Sequence, residues 1–171
     1  MLNHLTKVLP ILTVGALLAA GCHTAAPRRP AGLPLRYQNA QYGFTFFLPA
    51  SWQGYSVLSQ QWEGQHYSPA VDEVVVSEHG PTLILRHPQW KESSPYQDIP
   101  ILVFTRHQWE ADKEGNFSIG AGGTEFEIGH NDEYVFGIHS RFNWVELKGC
   151  KDAGHIVEIN CAANEPHLHP E

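Results

Sequence analysis

The chain opens MLNHLTKVLPILTVGALLAAGC. Lys7 is the one basic residue of this stretch, and Val8 to Ala20 form an uncharged run of 13 residues. As a helix that run is roughly 20 Å long, at ~1.5 Å per residue. A bilayer core is ~30 Å thick, so the run is too short to cross it comfortably. It has no polar face, which argues against a helix packed on a protein core. A basic start, a short apolar middle and small residues at the end describe a secretory signal peptide. Residues 1–21 are therefore expected to direct export, and the fold has to be built from the residues after Gly21.

The end of the run sets the subclass. Leu18-Ala19-Ala20-Gly21-Cys22 resembles the lipobox of bacterial lipoproteins. Ala19 departs from it, because the family most often has Leu there and Leu18 is one place early. The resemblance implies cleavage between Gly21 and Cys22, a diacylglyceryl group on the Cys22 thiol, and acylation (palmitate-type chains) of the new amino group. The other outcome is a plain signal peptide cut among Ala19 to Gly21, with Cys22 unmodified. One chain holds a protein to a membrane only marginally, at ~0.8 kcal/mol per buried CH₂, whereas two or three hold it stably. In that family an Asp after the lipidated cysteine favours inner-membrane retention. Here the position is His23, so a host with two membranes implies the outer membrane, facing the periplasm.

With 18 acidic against 11 basic residues the chain has a formal charge of −7, or −8 once Lys7 is removed with the leader. Such a surface has no broad affinity for nucleic acid. The expected partners are the bilayer, through the acyl anchor, and an envelope protein. Residues 22–36 are expected to be a lipidated cysteine and a Pro/Ala-rich tether, with Arg28 and Arg29 either solvated or near headgroups. At full polyproline II extension, ~3.1 Å per residue, His23 to Arg36 reach ~43 Å. A single domain is expected over 37–163 and a flexible tail over 164–171.

Within the domain the pattern favours strands. Tyr42 to Leu48 is rich in β-formers and stops at Pro49. Tyr55 to Trp62 is a weaker candidate, Thr82 to Arg86 a short buried run, and Ile99 to Thr105 the strongest strand, with Pro100 near its start. Glu125 to Ile128 alternates, His130-Asn131-Asp132 is a turn, and Tyr134 to Ile138 returns as a hairpin. Arg106 to Glu114 reads as a short surface helix anchored by Trp109. From Asp152 to Ala163, Ala153, Ile156, Val157 and Cys161 form a helical stripe. The predicted class is α+β: an antiparallel sheet with a short middle helix and a C-terminal helix packed on it.

Tyr42-Gly-Phe-Thr-Phe-Phe-Leu-Pro-Ala-Ser-Trp52 resembles the opening strand of PsbP-like domains. That resemblance implies an α/β/α sandwich around an antiparallel sheet, in proteins several of which are secreted lipoproteins or accessory subunits that act by binding. The domain is also similar to a group of uncharacterised bacterial lipoproteins. The signature shared with them would include Arg86-His87-Pro88-Gln89-Trp90 and Tyr96-Gln97-Asp98-Ile99-Pro100.

Cys150 and Cys161 are the disulfide candidate, since export leads to an oxidising compartment. If one helix holds both, they stand roughly 16 Å apart, and a bridge needs Cα atoms within ~7 Å. The bridge therefore requires Gly149 to Gly154 to fold back. Otherwise the two are packed thiols.

His167 and His169 lie on one side of an extended tail and are the weak candidates for a metal, with His155 and Glu165 nearby on paper. His87, His107, His130 and His139 sit at predicted strand ends, where convergence would build a metal or acid–base site. No nucleophile elbow, Cys-x-x-Cys or His-Glu-x-x-His motif is present. Gly120-Ala-Gly-Gly-Thr124 lacks the lysine of a phosphate loop and reads as a hairpin loop. Asp72-Glu73 and Asp132-Glu133 read as solvated loop pairs. Of Trp52, Trp62, Trp90, Trp109 and Trp144, most are expected in the core. No cofactor is expected beyond the covalent lipid on Cys22, and no catalytic residue is assigned. The reading is a membrane-anchored, non-catalytic binding or accessory module. The alternative is a metal-dependent envelope hydrolase using the loop histidines.

Overall fold

Regular structure reaches into the stretch read as a tether. The computed structural model describes residues 31–120, 125–140 and 147–164. Leu33 is buried, and β1 (Leu35–Asn39) pairs antiparallel with β2 (Phe44–Leu48). Only Tyr37 of β1 is an aromatic β-former, so the strand had no clear signature. What holds it is β2, whose Phe46, Phe47 and Leu48 are buried.

After a 3₁₀ turn at Ala50–Trp52 come two long strands, β3 (Ser56–Ser68) and β4 (Glu73–Arg86), paired along their whole length. The short runs predicted at Tyr55 to Trp62 and Thr82 to Arg86 are only the base of this hairpin. Its outer half is rich in Gln, Glu, His and Ser and alternates weakly, which hid it. The chain continues through β5 (Ile99–Thr105), α1 (Arg106–Lys113), β6 (Ser118–Ile119), β7 (Glu125–His130), β8 (Tyr134–His139) and α2 (Cys150–Asn164). Strands β3 to β8 form one antiparallel sheet in the order β6-β3-β4-β5-β8-β7. The α+β class and both helices are as the pattern predicted.

The sheet is apolar on both faces because β5 is apolar at nearly every position, and successive side chains point to opposite sides. Ile99, Ile101 and Val103 join Leu83, Leu85, Phe136 and Ile138 on one face. There α2 packs with Ala153, Ile156 and Val157, and the β1–β2 hairpin adds Phe46 and Leu48. Leu102 and Phe104 point the other way, to Trp62, Phe117, Ile119 and Val135, with Trp109 of α1 against them. Trp62 stacks on Phe104 at 4.8 Å and donates its indole N–H to the Val103 carbonyl at 3.0 Å. Gly80, opposite Trp62 in the β3–β4 register, leaves room for that ring, since a Cβ there would sit 2.5 Å from it.

One polar residue fastens α2 to the sheet layer. Asn160 is 1% exposed on the stripe of Ala153, Ile156 and Val157. Its Oδ1 accepts from the Phe47 N–H at 2.8 Å, and its Nδ2 donates to the Phe47 carbonyl at 2.9 Å and the Ile156 carbonyl at 2.8 Å. It completes β2, whose backbone would otherwise be buried without partners.

The disulfide candidate is corrected here. α2 starts at Cys150 and runs without a break through Cys161, so no fold-back occurs. Eleven residues of helix separate the sulfurs by roughly 16 Å along the axis, at ~1.5 Å per residue. Both are thiols.

Candidate functional site

The two segments singled out between β4 and β5 meet in space. Arg86, the last residue of β4, grips Asp98 with Nη2 at 2.7 Å from Oδ2 and Nε at 3.1 Å from Oδ1. Its guanidinium lies 3.9 Å over the Trp90 ring. The hydrogen bonds to Asp98 hold the Arg86 pKa above its usual value.

Next to it, His87 is buried and stacks on Tyr96, with ring centres 3.8 Å apart and planes 11° from parallel. Trp52 meets the imidazole edge-on at 5.0 Å. The Gln89 N–H donates to Nδ1 at 3.1 Å. A donor at Nδ1 makes that nitrogen the acceptor, which selects the neutral tautomer with hydrogen on Nε2. Burial is the main force lowering the His87 pKa; Lys148 adds to it, while the Ser51 carbonyl and Asp152 oppose it. The Tyr96 hydroxyl is raised, first by burial and then by the nearby Asp152 carboxylate. The backbone of Gln97 donates to the Lys148 carbonyl at 2.8 Å. Gly149, at φ +80°, lets the chain pass Tyr96, where a Cβ would meet the ring at 1.9 Å. This cluster ties the β4–β5 connection to the start of α2. Buried, stacked on Tyr96 and held at Nδ1, the His87 imidazole packs and hydrogen-bonds within this cluster.

A second cluster lies where α1 meets β7 and β8. Asp112 is on α1, and Glu125 and His139 face each other across the first register position of the β7–β8 pair. Glu125 is 3% exposed, and the Asp112 side chain is 7% exposed. The two carboxyls hydrogen-bond, and Asp112 is pushed up to about 6. Burial is the largest cause and the Glu125 charge the next, while Lys113 pulls the other way. Lys113 Nζ lies 3.5 Å from Asp112 Oδ2, donates to the Glu125 carbonyl at 2.8 Å and sits 4.1 Å over the Trp109 ring. His139 Nδ1 is 3.1 Å from Glu125 Oε1, an ion-pair distance, but that oxygen has no aligned hydrogen-bond donor. The arrangement can store a proton between two acids beside an imidazole. Nothing in the spacing of residues 112, 125 and 139 announces it, because helix packing on the sheet is what assembles it.

The register separates the four loop histidines. His87 follows β4 and His139 ends β8, both near the start of β5. His107 lies in α1, after the end of β5, and His130 ends β7 beside the turn to β8. They therefore occupy opposite ends of the sheet. Among the described residues no three His, Cys, Asp or Glu side chains converge in a geometry that holds a metal ion. His130 pairs instead with Glu127, and His155 lies 3.8 Å from Glu158 on α2. Cys22, Gly21, Arg28, Arg29, Trp144, Glu165, His167 and His169 lie outside the described residues. Trp52 and Trp62 are core; Trp90 and Trp109 are half-buried under the cations of Arg86 and Lys113.

Leu33 and Gly32, among the first described residues after the tether, line a cleft of about 320 Å³ with Pro49, Ser51, Asp152 and His155. The chain thus joins the body at the end that carries the His87 cluster. No helix among the described residues is long and apolar enough to cross a membrane. Compared with known proteins, the chain matches no family model, no curated protein and no solved structure.

Proposed function

We propose that this protein is an envelope lipoprotein, anchored by acyl chains on Cys22, whose folded domain acts as a non-catalytic binding or accessory module. The observation that carries this reading is the leader and its ending, Leu18-Ala19-Ala20-Gly21-Cys22, followed within eleven residues by the buried Leu33. A short tether between an acylated residue and a folded body keeps the domain within ~31 Å of the bilayer, at ~3.1 Å per residue. The burial of His87 in its stack on Tyr96 and Trp52 supports a role that is not catalytic, as does the absence of a nucleophile motif from the sequence.

The test is replacement of Cys22 by serine in a bacterial host. The wild type is expected in the membrane fraction, labelled by radioactive palmitate, with its leader removed. Cys22→Ser is expected to lose the label and accumulate with the leader uncut. A variant that is labelled and processed like the wild type would overturn the reading.

The competing reading is a metal-dependent envelope hydrolase using the loop histidines, and among the described residues no three His, Cys, Asp or Glu side chains converge to hold its metal. It predicts about one tightly held metal ion per chain by elemental analysis of protein purified without chelator.

A further inference from the structure

The β3–β4 hairpin outreaches the sheet it belongs to. β5 covers β4 only from Thr82 to Leu85, and β6 covers β3 only at Gly64 and Gln65. Beyond a bulge between Gly64 and Gln65, the segments His66–Ser68 and Glu73–Val75 pair with each other alone among the described strands, and Gln65 is the last residue that β6 reaches. Tyr67 pairs with Val74 and Gln65 with Val76, so Tyr67, Val74 and Val76 share one face. These three are 57%, 64% and 53% exposed, and Val71 in the turn is 57% exposed. A contiguous apolar face with open strand edges is normally covered or charged, because it is a template for another strand.

Charge states what would cover it. No Lys or Arg occurs between Arg36 and Arg86, whereas the hairpin carries Glu63, Asp72, Glu73 and Glu78. Its other titratable groups are His66, His79 and Tyr67, whose hydroxyl bonds Asp72. Glu78 is held by Gln108 of α1 at 3.0 Å. Two such acidic arms repel each other, and anionic lipid repels them as well. Position agrees: the chain joins the body beside Ser51, near the hairpin base, while the tip lies 12 residues up β3, ~40 Å away at ~3.3 Å per residue.

We propose that the outer part of the β3–β4 hairpin is a docking arm that takes a basic, apolar-faced β-strand of a partner protein. The strand adds to the open edge by backbone hydrogen bonds, its apolar side chains cover Tyr67, Val74 and Val76, and its cations meet Asp72 and Glu73. This deepens the accessory-module reading and rests on it.

The probe is a labelled heptapeptide alternating lysine and valine, titrated into the purified full-length protein and followed by fluorescence anisotropy. Its glutamate–valine counterpart is the control. Expected are saturable binding of the lysine peptide alone, and a loss of affinity of roughly fivefold between about 50 and about 300 mM salt. Val74→Thr/Val76→Thr, which keeps β-propensity, and Asp72→Asn/Glu73→Gln, which keeps shape, should each raise Kd at least tenfold. The second pair carries the test if the first fails to fold. No binding, equal binding of both peptides, or binding indifferent to both variants overturns the proposal. So does a concentration-dependent dimer that the Val74/Val76 variant abolishes, or arm-dependent binding to phosphatidylcholine–phosphatidylglycerol vesicles. The Cys22→Ser fractionation is independent of the arm, so failure here leaves the anchor reading standing, and failure there leaves this binding result readable.

Discussion

Arg86 and Asp98 lie at the two ends of the β4–β5 connection, and their side chains meet through three nitrogen–oxygen contacts, 2.7, 3.1 and 3.2 Å long. The clamp closes the loop that carries His87, Trp90 and Tyr96. Lysine at 86 keeps the charge and loses both the fork and the flat stack on Trp90. Because both side chains are about a quarter exposed, Arg86→Lys is expected to cost about 1 kcal/mol. Urea denaturation checks the midpoint, and an unchanged midpoint assigns the clamp no net stability.

Asp112 makes stability depend on pH in an uncommon direction. Its pKa is raised from 3.8 to about 6, so the native state holds a proton that the unfolded chain has already released across that window. Stability from this group is complete below about 3.8 and is lost as pH rises through about 6. Asp112→Asn keeps a neutral side chain at every pH. It is expected to raise the melting temperature at pH 8 and to flatten the dependence between about pH 4 and 6.5. Parallel melting curves for variant and wild type would remove the shared proton.

His87 works in the opposite sense. Its folded pKa is lowered below 6.5 by burial, so the unfolded chain takes up a proton first as the solution is acidified. Stability from neutral His87 is present above pH 6.5 and is lost as pH falls below it toward the folded pKa. In an NMR titration the His87 ring should therefore stay neutral below the range where exposed histidines protonate. A midpoint at or above 6.5 contradicts the buried imidazole. His87→Ala, which also loses the Tyr96 stack, is expected to cost roughly 2–4 kcal/mol.

Asn160 carries the attachment of α2 to β2. Alanine there leaves the buried N–H and carbonyl of Phe47 without partners. Unsatisfied buried groups cost ~1–3 kcal/mol each, so Asn160→Ala is expected to destabilise by about 2–4 kcal/mol. Hydrogen exchange should show the Phe47 amide losing its protection first. If that amide stays protected, the side chain is not what pairs it.

Oxidation tests the separation of the two cysteines along α2. With Cys150 and Cys161 at opposite ends of α2, mild oxidant acting on native protein is expected to produce no intramolecular bridge. Non-reducing mass spectrometry after alkylation should find both as alkylated thiols.

Strong local patterns were enough for much of the fold. The unbroken apolar run of Ile99–Thr105 declared a strand buried on both faces. The stripe at Ala153, Ile156 and Val157 declared α2, and the alternation around the turn at His130–Asp132 declared the β7–β8 hairpin. Each is a signal in which neighbouring residues report on one element, so a short window contains it.

Tertiary structure decided the rest. β1 is a strand because β2 offers it an edge, and the outer hairpin persists because two weak strands pair with each other in register. Asp112, Glu125 and His139 meet only because α1 packs against the sheet, and His87 finds Tyr96 only because Arg86 grips Asp98. Asn160 sits where an apolar residue would continue the stripe, and only the unpaired backbone of Phe47 explains it. Such contacts depend on which surfaces are removed from water together, and residue order alone does not specify that.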